Sequence, residues 1–215
     1  NGDDAVEADE DISVTLSNPS VNATISLTDN IGTSSFTDND TAGFSVSTGT
    51  LATTEGGPNE TFSVVLDAEP QTNVVISASS DNLAEGLVSP ANLTFTPANY
   101  NVPQTITVTP VDEFIVDGDQ AYEVTLSIVD ASSDNNFDGL ADQDVLVTNA
   151  DNDTAILTIA DKAENEDVAS GELVFEVSLD IEVVDGFTVQ YTFANGTAIG
   201  GGTDFTATPD ELEFD

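Results

Sequence analysis

Cysteine, methionine, tryptophan and histidine are all absent from these 215 residues, and Lys162 is the only basic side chain. Without cysteine there is no disulfide, no thiol nucleophile and no thiolate metal ligand. Without histidine the commonest general base and imidazole ligand are gone. Phosphate backbones are gripped by Lys and Arg, so a chain with one of them is excluded as a nucleic-acid binder. No apolar run approaches the roughly 20 residues that span a bilayer, and no signal-peptide pattern opens the chain, so no direct membrane insertion is expected in this window.

What remains is acid. Forty-one Asp and Glu give a formal net charge of -40, yet 39% of the residues are hydrophobic, enough to build cores rather than a disordered acidic tail. Self-repulsion on that scale disfavours a compact state unless cations bind or screen the carboxylates. With thiolate and imidazole unavailable, the ligands on offer are oxygens, which suit hard cations, calcium before magnesium.

The chain also repeats. Asp38-Asn39-Asp40-Thr41-Ala42 returns as Asp151-Asn152-Asp153-Thr154-Ala155, 113 residues later. That period is domain-sized, and it predicts similar domains joined by short acidic linkers. Along the whole length apolar residues alternate with polar ones, as in Phe62/Val64/Leu66, Ile106/Val108, Tyr122/Val124/Leu126/Ile128, Val145/Val147 and Leu173/Phe175/Val177/Leu179. Ile12/Val14/Leu16, Val189/Tyr191/Phe193 and Leu212/Phe214 do the same, and no segment carries a helical stripe. The expected fold class is all-β: tandem immunoglobulin-like antiparallel β-sandwiches. The divisions fall at the tags: residues 1–40 as the C-terminal part of a first repeat, 41–153 as a complete second repeat and 154–215 as the N-terminal part of a third. Both ends read as cut from a longer protein.

The acids recur at equivalent places. The run from Asp3 to Glu10 before the first strand matches Asp112 to Asp119 before Tyr122, with one residue of slack; Glu55 and Glu166 open the second and third repeats; Glu85 pairs with Asp204. Loops at one end of a sandwich converge, so Glu55, Glu85, the Asp112–Asp119 run, Asp151 and Asp153 are expected to meet at one pole. Calcium accepts six to eight oxygens in irregular geometry, and a loop-built calcium cluster explains why the acids recur at fixed positions, which solubility does not require. Glu69, beside Pro70, is placed in a turn away from that cluster.

The two Asp-Asn-Asp tags, the Asp-Asp-x-x-Glu-x-Asp-Glu run with Leu16-Ser17-Asn18-Pro19 after it, and Gly196-Thr197-Ala198 followed by Gly202-Thr203-Asp204-Phe205 together resemble Calx-beta repeats. The resemblance implies an immunoglobulin-like sandwich with calcium at one tip. Carried over residue by residue, it implies metal ligands Glu55, Glu85, Asp112, Glu113, Asp117, Asp151 and Asp153 in the second repeat. In the first they are Asp3, Asp4, Glu7, Glu10, Asp38 and Asp40, and in the third Glu166 and Asp204. The second repeat departs from the pattern with Gln120 where the first has Glu10, and with Glu85 where the third has Asp204.

Asp119 is a further candidate ligand. Asp134-x-Asn136-x-Asp138-Gly139 has the opening spacing of a calcium loop, though Val145 stands at the twelfth position and no helices flank it. No nucleophile–base pair is available, and paired carboxylates lack an aromatic-lined cleft, so no enzyme is expected. Six Asn-x-Ser/Thr triplets, beginning at Asn22, Asn39, Asn59, Asn92, Asn152 and Asn195, are as many as chance allows in such a chain. The expected function is a calcium-rigidified extracellular stalk of a large bacterial surface adhesin. Its expected partners are calcium ions, neighbouring repeats of the same chain and other cell-surface molecules. Alternatives are a calcium sensor regulating a membrane transporter, or a loop-based module for glycan or protein.

Overall fold

In the computed structural model, residues 4–164, 172–198, 200–202, 205–206 and 208–215 are described. The chain begins with an antiparallel pair, β1 (Glu10–Thr15) and β2 (Ile31–Phe36), joined in the register Glu10↔Phe36. A two-sheet sandwich follows. Its strands are β3 (Phe44–Val46), β4 (Thr50–Thr54), β5 (Glu60–Leu66), β6 (Val74–Ser80), β7 (Gly86–Ser89), β8 (Asn92–Phe95) and β9 (Gln104–Pro110). After the short β10 (Ile115–Val116) it is completed by β11 (Gln120–Ile128) and β12 (Gln143–Ala150). Beyond lie β13 (Leu157–Ile159), β14 (Val177–Leu179), β15 (Glu182–Val183), β16 (Phe187–Tyr191) and β17 (Asp210–Phe214).

One sheet has the order β4-β12-β11-β6-β8, the other β3-β5-β9-β7. Alternation sends every second residue inward, and Phe62, Val64, Leu66, Ile106, Val108, Tyr122, Val124, Leu126, Val145 and Val147 are all buried between the sheets. Each fully buried Val, Leu, Ile or Phe contributes about 1.5–3 kcal/mol of transfer free energy.

The sheets are antiparallel with one exception that shapes the site. β4 and β12 run parallel, Thr54 opposite Ala150, so the residues that follow them, Glu55 and Asp151, leave the sheet at the same end. Gln120 at the start of β11 faces Asn149 near the end of β12, and Gly86 at the start of β7 faces Pro110 at the end of β9. The Glu55 turn, the 81–85 loop, the 111–119 run and the 151–153 tag therefore share one pole.

The flanking segments differ from this. All six residues of β1 and of β2 are exposed, so the alternation of Ile12, Val14 and Leu16 marks strand without marking core. Of the run Leu173 to Leu179, only Val177–Leu179 is a strand, paired with Leu157–Ile159. Β-type pairing also joins the flanks to the sandwich. Ala5 bridges Glu69 in parallel at the pole opposite the acidic one, and Ile115–Val116 pair in parallel with Glu182–Val183 at the acidic pole.

Candidate metal centre

Glu55 sits at the centre of the acidic pole, 2% exposed, where β4 ends. Its backbone N–H continues the parallel pairing by donating to Ala150 O at 3.1 Å. One carboxylate oxygen each from Glu55, Glu113 and Asp117 lie within 4.8 Å of one another, and the same holds for Glu55, Asp151 and Asp153. Two groups of three thus share Glu55. Five of the seven carboxylates expected from the second repeat are brought together in this way.

The other two stand beside them. Glu85 is buried, and its Oε2 accepts from Asn149 Nδ2 at 3.2 Å. Asp112 packs against Gly56: a Cβ on that glycine would come within 2.8 Å of Asp112 Oδ1, and its φ of +58° is one that other residues rarely hold. Asp119 is turned to the chain, its Oδ1 accepting from Asp151 N at 3.3 Å.

The pole is held in shape by main-chain donors. Asp151 accepts from Gly118 N at 2.9 Å and Asp153 N at 2.7 Å, and these bonds hold its carboxyl below the usual range. Asp38 repeats the arrangement in the N-terminal segment, accepting from Asp40 N at 2.9 Å and Glu7 N at 2.8 Å, and its carboxyl is lowered for the same reason. Asp9 Oδ1 accepts from Asp38 N as Asp119 does from Asp151 N. The tag is therefore a structural device twice over: its first Asp ties the acidic run to the exiting strand.

The central carboxylates lack such support. Both oxygens of Glu55, Oδ1 of Asp117 and Oδ2 of Asp153 are buried with no hydrogen-bond partner. Burial first, then the charges of Asp151, Glu113, Asp117 and Glu85, push Glu55 up to about 7. Glu113 is raised by burial and by Asp117 and Glu85. Buried polar groups in folded proteins are ordinarily satisfied, and adjacent unpaired carboxylates are among the costliest exceptions. The donor set is all oxygen, central and short of positive charge, which fits a hard divalent cation such as calcium. The chain's one basic side chain, Lys162, pairs with Glu164 at 2.8 Å.

Elsewhere the expected ligands are not gathered so closely. Among the described residues, Asp4, Glu7, Glu10, Asp38 and Asp40 form no group of three oxygens like those at Glu55; Asp3, Glu166 and Asp204 lie outside the described residues. In the Asp134 loop, Asp134 is buried and spends its carboxylate on Thr72 N and Asn136 N, at 2.8 and 3.0 Å. Asn136 turns its amide N–H to Val6 O at 2.8 Å. Phe137 is fully buried, and Asp138 keeps one buried oxygen without a partner. Glu69 lies away from the acidic pole, in a bridge with Ala5 rather than a turn, and its main chain bonds Asp4 and Val6. Asn149, the fully buried support of Glu85, is not legible in the sequence because it is an uncharged residue at the end of β12, just ahead of the Asp151-Asn152-Asp153 tag whose carboxylates carry the pattern.

The sequence model of the Calx-beta domain matches residues 37–163 and again 150–215. No curated protein matches the chain. Among solved structures, the apo form of the Calx CBD1 domain is similar at 12% identity and TM-score 0.38, over 51% of this chain and 96% of that one. The E. coli chaperone DraB is similar at 10% identity and TM-score 0.40, over 52% of this chain; the match spans only 57% of the chaperone's length. Domains 4 and 5 of the S-layer protein SbsC follow at 16% identity and TM-score 0.37, over 56% and 52% of the two chains. The assignment stands on the sequence match, which runs from residue 37 to residue 215: this chain belongs to the Calx-beta domain family.

Proposed function

We propose that this chain is a stretch of calcium-rigidified spacer repeats from a large extracellular surface protein, an adhesin stalk. Calx-beta domains are calcium-binding modules of immunoglobulin type, and the donor set described above fits that ion. Glu55, Glu113, Asp117, Asp151 and Asp153 would hold it, in two adjoining positions that share Glu55, with Glu85 and Asp112 at the margin. Bound calcium supplies the positive charge that offsets repulsion among these carboxylates.

The observation that carries this reading is the set of buried, partnerless oxygens on Glu55, Asp117 and Asp153. With one lysine in the sequence, already paired with Glu164, the compensating charge has to come from solution. The repeat units run 41–153 for the whole one, with 1–40 and 154–215 as parts of its neighbours. Asp151 and Asp153 leave the metal centre directly into the next unit, so an ion there stiffens the exit. An exposed, protease-rich setting accords with a chain offering one Lys and no Arg. Small-angle scattering tests the stalk: an extended rod in calcium that becomes shorter or more flexible in chelator supports it, and identical profiles in both contradict it.

A further inference from the structure

The two joints between segments use the same positions. Ala5 and Val6 stand 110 residues before Ile115 and Val116, and Glu69 stands 113 residues before Glu182. Glu69 lies three residues after Leu66, the end of β5, and Glu182 three residues after Leu179, the end of β14. In both places the middle of an acidic run lies parallel to the segment that follows one of these strands.

At the first joint Val6 N donates to Glu69 O at 3.0 Å and Glu69 N to Asp4 O at 2.7 Å. Asn136 Nδ2 caps Val6 O, Tyr100 donates its hydroxyl to Asp4 Oδ2 at 3.0 Å, and the Val6 side chain packs against the sandwich core. At the second, Ile115 faces Glu182, Val116 faces Val183, and Val184 N donates to Val116 O at 2.9 Å. The first joint is a single bridge followed by Pro70, which has no N–H to offer; the second runs to two residue pairs. The facing residues differ between joints, yet the main-chain result is the same.

We infer that each unit of the array carries a docking edge, at Glu69 and at Glu182–Val183, whose occupant is the acidic run of the preceding unit, added as a short parallel strand. The acidic run then has two faces of work: its carboxylates line the pole of its own unit, and its central Ala5–Val6 or Ile115–Val116 bonds the next. Strand addition takes its affinity from main-chain bonds and its direction from their geometry, so such a joint sets the angle between units without a demanding side-chain code. The two joints lie at opposite poles of the complete sandwich, as an end-to-end array requires. This inference rests on the reading of the chain as an array and not on the ion.

Residue-resolved amide exchange on the whole chain, with calcium present, tests it. The amides of Val6, Glu69 and Val184 are expected to exchange at least about tenfold more slowly than unpaired loop amides, as hydrogen-bonded groups do. Because the chain has no cysteine, spin labels on cysteines placed at exposed Asp144 and Thr188 report the second joint alone. Val184→Pro, which deletes the donor, should broaden the label distance distribution, while Val184→Ala, which keeps it, should not. Loop-like exchange at all three amides, or equal distributions for Val184→Pro and Val184→Ala, would overturn the inference. Calorimetry on the same sample reports calcium binding separately, so loss of the joint and loss of the ion are different results.

Discussion

Asn149 Nδ2 donates to Glu85 Oε2 at 3.2 Å, with both side chains buried directly beneath the acidic pole. The same amide reaches Glu85 O and Val111 O, each at 3.3 Å, and its Oδ1 accepts from Thr53 Oγ1 at 2.9 Å. One neutral side chain thus joins β4, β12 and the two loops that carry Glu85 and Asp112. Asn149→Leu strands several buried groups and should cost about 1–3 kcal/mol in urea unfolding with calcium present. Asn149→Asp adds a further carboxylate beside Glu85, so its loss should be larger in chelator than in calcium.

Glu55→Gln should act with opposite signs on the two forms. It keeps the side chain's size and removes the charge at the meeting point of both carboxylate groups. The cation-free protein should melt higher, because repulsion and burial both act on the ionised form. Calcium affinity should fall about tenfold or more, on the scale of a lost bond to a charged group. Asp142→Asn, exposed at the opposite end of β12, should change neither melting nor affinity.

The pH dependence follows from the same residue. In the cation-free protein Glu55 titrates at about 7, against 4.5 for an ordinary glutamate, so between those values the folded state holds a proton that the unfolded chain has released. Stability in chelator should therefore fall as pH rises from about 4.5 through about 7 and level off above. Apparent calcium affinity should rise over the same interval, because the ion displaces that proton. Urea midpoints at pH 5.5 and 8 check this; in Glu55→Gln the difference should shrink.

Gly56→Ala tests the approach of Asp112. The new Cβ would meet the Asp112 carboxylate at 2.8 Å, and the positive φ disfavours any L side chain. A loss of about 1–2 kcal/mol is expected from the backbone conformation. Calcium affinity should also drop if Asp112 contributes to the centre; unchanged affinity would place Asp112 outside it.

The strands of the two-sheet sandwich were legible because a two-residue period meets a core there: Phe62, Val64 and Leu66 alternate in the sequence and are buried in the fold. The same period in Ile12, Val14 and Leu16 predicts a strand correctly, but alternation carries no information about whether a second sheet covers it. The acidic pole was legible because carboxylates recurring in loops have to converge if the loops do. The parallel pairing of β4 with β12 was not, although it is what brings Glu55 beside Asp151. The joints at Glu69 and Glu182 were hidden for another reason: every residue but proline offers the same main-chain groups, so strand addition leaves little trace in side-chain identity.

Whether the acidic pole holds calcium is decided by a calorimetric titration of calcium into the whole chain, beside an Asp117→Asn, Asp153→Asn variant. The exchange removes one charged ligand from each carboxylate group while keeping size and a carbonyl oxygen. The parent should give a saturable heat and a higher melting temperature in calcium than in chelator, and the variant should lose most of both. A parent without saturable heat, or a variant that binds as tightly as the parent, would contradict the assignment of calcium to this pole.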